Sequence, residues 1–329
     1  MYNIIEYGDM TQHFLLSAQA RTLSLKEIYK GGEDKAYQTF REMRWTETEG
    51  EPVCPKCGCC EAYDISTRRK FKCKACHHQF SVTSGTIFAS RKMDFCDLLA
   101  AICIFVNAAK GISALQMARD LDVQHKTAFV MCHKLREALA AEVEGLKLSG
   151  DVEIDGMFTG GHIRPANYKW NRIDRRLTRH QTGKRRVVVA MRQRGGRTLT
   201  FVTRSEADGV YHVNQNATPC ARIHADEASH WDVLHERFET YRINHSEAYS
   251  HADVCTNGVE SFFSRLRRTI RGQHHHVSPR YLHQYAHEAA WREDHRRMCN
   301  GGLAHRVIGL ALAHEKSRDW SGYWQRSAA

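Results

Sequence analysis

Two Cys-x-x-Cys pairs, Cys54-Pro55-Lys56-Cys57 and Cys73-Lys74-Ala75-Cys76, constrain this chain more than any other feature. Fifteen residues separate them. Each pair turns two thiolates towards one point, and two pairs at this spacing predict one tetrahedral Zn²⁺ site. Residues 62–65 and 70–72 between them read as short strands, so residues 51–90 are expected to form a zinc ribbon. Its ligands would be Cys54, Cys57, Cys73 and Cys76. Cys59 and Cys60 have no matching pair and are left out of the site. Lys56, Arg68, Arg69, Lys70, Lys72 and Lys74 give the ribbon a basic face, which suits either solvent or a phosphate backbone.

The whole chain has the same bias. It has 329 residues, 42 % hydrophobic and 26 % charged, which suits a soluble globular protein of two or three domains. The net charge of +11 favours an acidic partner, and nucleic acid is the commonest. No apolar run reaches the length of a membrane span. The first twelve residues lack the basic start and apolar core of a signal peptide. A cytoplasmic location is therefore expected, with the twelve cysteines as thiols or metal ligands rather than disulfides.

Residues 1–50 read as an N-terminal helical arm, with segments at 24–29 and 36–43 broken at Gly31-Gly32. Phe40 and Trp45 are expected to pack on the segments C-terminal to them. Residues 91–145 predict three helices, near 94–109, 113–121 and 126–140, with Ser113 as an N-cap. The short turn at 122–124 suits a helix-turn-helix DNA-binding domain, with Lys126 near the start of its last helix. A plain helical hairpin would show the same pattern. Residues 144–150 form a polar linker.

The remainder reads as α/β. The strand at 152–158 places Asp155 amid alternating apolar residues, followed by Gly156, which leaves room for a ligand or another backbone. Asp is disfavoured in a strand, so a cation must compensate it. The segment 160–186 is dense in cations, including Arg164, Arg172, Arg175 and Arg176, and suits a phosphate backbone. Strands at 186–191 and 197–203 form a hairpin across Gly195-Gly196. Residues 206–217 are a helix or loop. A second strand ends in Asp226, then come a helix at 229–238 and a strand at 241–245. Val259, Phe262, Phe263, Leu266 and Ile270 form one helical stripe, which leaves Glu260, Ser264, Arg267 and Arg271 on a polar face. His274, His275 and His276 lie in a loop before a helix at 279–298. These elements assign residues 151–300 to a catalytic domain and 301–329 to a C-terminal tail whose aromatic residues close a core.

Asp155, Asp226 and Glu260 are separated by 71 and 34 positions and come from separate elements. This order suits an RNase H-like nucleotidyl-transfer core. Mg²⁺, or Mn²⁺, takes oxygen ligands, and two ions about 4 Å apart can clamp the attacking and leaving oxygens of an in-line phosphoryl transfer.

The motifs CPKCG, FKCKAC, GISALQMARDL, VEIDGMFTGGHIRPAN, HADEASHWD, RINHSEAYS, TNGVESFFSRLRR and AAWREDHRR together resemble one family. It is the bacterial insertion-sequence transposases that join an N-terminal zinc ribbon to a DDE catalytic domain. The resemblance spans roughly residues 50–325. It implies that Asp155, Asp226 and Glu260 are the acidic triad holding two Mg²⁺ ions, with Arg267, seven positions after Glu260, as the accompanying basic residue. Asn257, one turn before Glu260, is the alternative third ligand. The implied partners are double-stranded DNA, as terminal inverted repeats and target, and further copies of the chain in the synaptic complex. The implied reaction is strand cleavage and strand transfer. A transposase-derived DNA-binding regulator without catalysis is the alternative, and the presence of all three acids argues against it.

Overall fold

A computed structural model describes residues 14–160, 166–174, 183, 185–243, 250–251 and 254–326. It divides into two compact units. One holds the described residues up to Glu142 together with those from His295 onward; the other is Val143–Asp294.

In the first unit, α1 (Leu25–Arg44) opens on a capping box. Ser24 Oγ accepts from the Glu27 N–H at 3.2 Å, and Glu27 Oε2 accepts from the Ser24 N–H at 3.1 Å. The break expected at Gly31-Gly32 is a kink at Gly32, whose φ of 72° is readily adopted only by glycine. Phe40 packs edge-on against Phe88 and tilted against Phe95, while Trp45 meets Phe71 and Phe80 of the ribbon. The ribbon is an antiparallel sheet of β1 (Ala62–Ile65), β2 (Lys70–Cys73) and β3 (Gln79–Phe80) in that order. Then come α2 (Phe95–Asn107), α3 (Ala114–Asp120) and α4 (His125–Ala141). Ser113 caps α3 by accepting from the Gln116 N–H at 3.1 Å.

The chain returns to this unit after Asp294, so its last part is more than a tail. The helix α8 (Asn300–Ala313) buries Ala304, Val307, Ile308, Ala311 and Leu312 and packs on α1, α2 and α4. A stripe of that width needs a core to face. Trp320 then stacks on His133 of α4 with ring centroids 4.2 Å apart, and a last short helix, α9 (Tyr323–Arg326), lies beside Phe129.

The second unit is built on a five-stranded sheet. Its strands are β4 (Asp151–Gly160), β5 (Arg185–Gln193), β6 (Thr198–Thr203), β7 (Arg222–Asp226) and β8 (Glu239–Ile243), ordered β6-β5-β4-β7-β8. The first three are antiparallel, and β7 and β8 join parallel to β4. The helix α5 (Gly209–Asn216) lies between β6 and β7 in the chain. Strand alternation gives the sheet two apolar faces. Val152, Ile154, Val187 and Val189 enter one core with Val213 of α5 and Trp231. Met157, Val188 and Ala190 enter the other with Val259, Phe262, Phe263 and Leu266 of α6 (Asn257–Arg268), and with Leu282, Ala286 and Ala290 of α7 (Leu282–Asp294).

Some local expectations shift. The segment expected as a helix at 229–238 is a 3-10 helix, Ser229–Glu236, and the helix expected at 279–298 is the shorter α7. After α6 the coil widens into a π-helical stretch, Thr269–His274. A two-stranded ladder of Ser250–His251 and Val254–Cys255 precedes α6.

Candidate functional site

The parallel ladder between β4 and β7 runs from Asp151–Arg222 to Glu153–His224 and stops there. Two residues further, the same register brings Asp155 and Asp226 side by side where the strands part. Asp155 Oδ1 accepts from the Gly156 N–H at 2.6 Å, and Asp226 Oδ1 from the Ala228 N–H at 3.2 Å. Arg242 on β8 secures the turn after Asp226 by donating to the carbonyls of Asp226 at 2.5 Å and Ala228 at 2.6 Å. Both aspartates are half-buried.

A third acid completes this group, and it is Glu206. One carboxylate oxygen from each of Asp155, Glu206 and Asp226 lies within 4.8 Å of the others. Glu206 stands between β6 and α5. β6 runs antiparallel to β5, which runs antiparallel to β4, so its C-terminal end reaches the edge where Asp155 and Asp226 emerge. Gly156 makes this possible. A Cβ there would lie 2.3 Å from Glu206 Oε1, so the room left by this glycine is filled by the Glu206 side chain. Burial, and then the charges of Asp155 and Asp226, push the Glu206 carboxyl up to about 7. Sequence reasoning misses it because residues 206–217 carry no strand or helix pattern strong enough to place one side chain. The available signal was an acid three residues after a strand leading to the Asp155 edge.

Glu260 lies outside this 4.8 Å group. It is half-buried in the first turn of α6, where its Oε1 accepts from Thr256 Oγ1 at 3.1 Å. Asn257 is exposed at the first position of α6, and Arg267 is exposed in its last turn. The start of α6 is fixed to the sheet by buried charge. Glu153, two residues before Asp155, accepts from the Val259 N–H at 3.0 Å and from Arg194 Nε at 2.9 Å. Arg194 also donates to the Cys255 carbonyl at 3.0 Å, and Arg192 to the Gly258 carbonyl at 3.0 Å.

The second cluster is in the ribbon. Sγ atoms of Cys54, Cys57, Cys73 and Cys76 all lie within 4.8 Å of one another. Cys54 meets Cys76 at 3.6 Å and Cys57 meets Cys73 at 3.5 Å. The backbone N–H of Cys76 is the largest of the influences that hold the Cys73 thiol below its usual range, while its neighbour Cys57 is pushed up, as expected of thiols that share a proton. Four converging thiols with no disulfide between them fit zinc.

Among the sequence-predicted cations, Lys126 is exposed at the start of α4 with its Nζ 5.2 Å from the ring centre of Trp324. Arg172 is exposed and donates to the Ala166 carbonyl at 3.2 Å. Arg164, Arg175 and Arg176 lie outside the described residues.

Three carboxylates at this separation repel one another, and their all-oxygen donor set suits a hard divalent cation. Among the described residues, neither Glu206 nor Asp226 has an arginine or lysine as ion-pair partner. The acid group would hold the cation through Asp155, Glu206 and Asp226.

Two family models match the chain, and each matched segment contains one of the clusters. The ISXO2-like transposase domain matches residues 147–294, which include Asp155, Glu206, Asp226 and Glu260. The transposase zinc-ribbon domain matches residues 31–79, which include all four ribbon thiols. No curated protein and no solved structure matches the chain. Both matches in one chain, a zinc ribbon followed by an ISXO2-like DDE domain, are consistent with an insertion-sequence transposase.

Proposed function

We propose that this chain binds the terminal inverted repeats of its own insertion sequence and catalyses metal-dependent strand cleavage and strand transfer into target DNA. The observation that carries the proposal is the convergence of Asp155, Glu206 and Asp226 within 4.8 Å, inside the segment that matches a transposase DDE domain. Bound Mg²⁺ or Mn²⁺, as a pair of ions, would supply Lewis-acid stabilisation of the phosphoryl oxygens.

The chain's own groups do the rest. Asp155 and Asp226, held at one sheet edge by register and by Arg242, provide fixed negative charge. Glu206 completes their group, and Glu260 is a further acid outside it, carried on a helix whose start is tied by Glu153 to the strand of Asp155. Asn257 is its alternative, and Arg267 the cation that holds a phosphate. In the first step water attacks a phosphorus at the element end, and the P–O3′ bond breaks to free a 3′-OH. In the second that hydroxyl attacks a target phosphorus and displaces the target's own 3′ oxygen. Zn²⁺ in the ribbon, together with α3 and α4 as a helix-turn-helix, would serve end binding, with Lys126 and Arg172 contacting phosphates. Several copies would assemble on paired ends.

The test uses the purified chain with labelled duplexes bearing the element ends, in Mg²⁺ or Mn²⁺. Nicks with free 3′-OH groups and joined products support the proposal. Specific end binding without cleavage in either cation would make the chain a DNA-binding regulator instead.

A further inference from the structure

The connection between β4 and β5 leaves uncovered the most exposed large apolar side chain among the described residues. Trp170 is 79 % exposed, and Tyr168 beside it is 57 % exposed. Their rings are stacked, with centroids 4.8 Å apart and planes 17° from parallel. Lys169, Asn171, Arg172 and Ile173 around the pair are exposed as well. An indole is a large apolar surface, and leaving one in water beside a second ring forgoes its burial. Neither residue has a role in the cores or in the acid cluster.

The pattern Tyr168-Lys169-Trp170-Asn171-Arg172 interleaves flat rings with cations. A single nucleic-acid strand has the complementary pattern, with a π-face on every base and a charge on every phosphate. Paired bases inside a duplex have both faces stacked already, so only unpaired or frayed bases can use such a platform. A similar pairing of ring and cation occurs at the sheet end of the same connection. There the Arg185 guanidinium lies 4.5 Å from the ring centre of Phe158, itself 48 % exposed.

We infer that Tyr168 and Trp170 form a stacking platform for unpaired nucleobases of a DNA strand, with Lys169 and Arg172 on the adjoining phosphates. The inference rests on the DNA-processing reading above and specifies the form of DNA that this connection holds.

The test measures anisotropy of the full chain with a labelled twelve-nucleotide single strand and with the same sequence as a blunt duplex. Trp170→Ala should weaken single-strand binding about tenfold and leave duplex binding within about twofold, since one stacked base accounts for roughly such a factor. Trp170→Phe should keep most of the affinity, because a ring remains. A 2-aminopurine in the single strand should be quenched by the parent chain and less so by Trp170→Ala. Equal binding of the single strand by parent and Trp170→Ala would overturn the inference. So would a loss shared equally by both DNA forms, or light scattering that shows Trp170→Ala dissociating a self-assembled species without DNA. If the parent binds neither DNA form, the functional reading itself falls, which is distinguishable from failure of the platform alone.

Discussion

The Glu153 carboxylate accepts the Val259 N–H at 3.0 Å, tying the strand that carries Asp155 to the helix that carries Glu260. Glu153 is 3 % exposed and also pairs with Arg194. Glu153→Ala would leave the buried Val259 N–H without its acceptor and take the carboxylate away from Arg194. Urea unfolding should show a loss of about 3 kcal/mol in the stability of the Val143–Asp294 unit. Glu153→Gln keeps the shape and one acceptor, so it should cost less than half as much. If both variants unfold like the parent, this link does not hold α6 in place.

Asp226→Asn keeps the side-chain size and removes one charge from the acid group. Mn²⁺ affinity, measured by calorimetry, should fall at least about tenfold, and strand cleavage by several orders of magnitude. DNA end binding should stay the same or tighten as repulsion between acid and phosphate is relieved. Glu206→Gln should lower Mn²⁺ affinity in the same way, because its oxygen belongs to the same 4.8 Å group. Asp155→Asn should match Asp226→Asn. A Glu206→Gln chain with parental Mn²⁺ affinity would leave the cation to the aspartates and to Glu260.

Cys73→Ser should release one zinc per chain, read by elemental analysis. The ribbon sheet should lose order, since structural zinc contributes folding free energy directly. The Val143–Asp294 unit has its own core and should keep its unfolding transition. Specific end binding should weaken. Parental zinc content in Cys73→Ser would take this thiol out of the site.

Glu142 provides a pH signature in the first unit. Burial disfavours its charge, but hydrogen bonds from His295 and Arg306 prevail and hold the carboxyl well below its usual 4.5. A carboxyl with a depressed folded-state pKa contributes stability that is present in full above about pH 5 and is lost as pH falls below 4.5. Glu142→Gln should therefore cost roughly 1–3 kcal/mol near pH 7 and flatten the loss of stability between pH 5 and 3. Urea unfolding across that range reads both effects. An unchanged acid limb would show that other carboxylates set it.

The elements that carry this fold were legible because each has a strong local cause. Two cysteine knuckles at fixed spacing define a ribbon, and their four thiols converge in the structure. The alternation around Asp155, the glycine turn at 195–196 and the stripe from Val259 to Leu266 each correspond to β4, the β5-β6 hairpin and α6. These signals follow backbone periodicity, which neighbouring residues alone can express. What joins Asp155 to Asp226 is different in kind: parallel register between strands 71 positions apart, decided by sheet order. Glu206 needed still more. Its place depends on the β6 end reaching the same edge and on the missing Cβ of Gly156, a fit between segments 50 positions apart that no local pattern encodes. The return of α8 to the first unit is likewise a tertiary choice, because an apolar stripe specifies that it must be buried and leaves the partner to the packing.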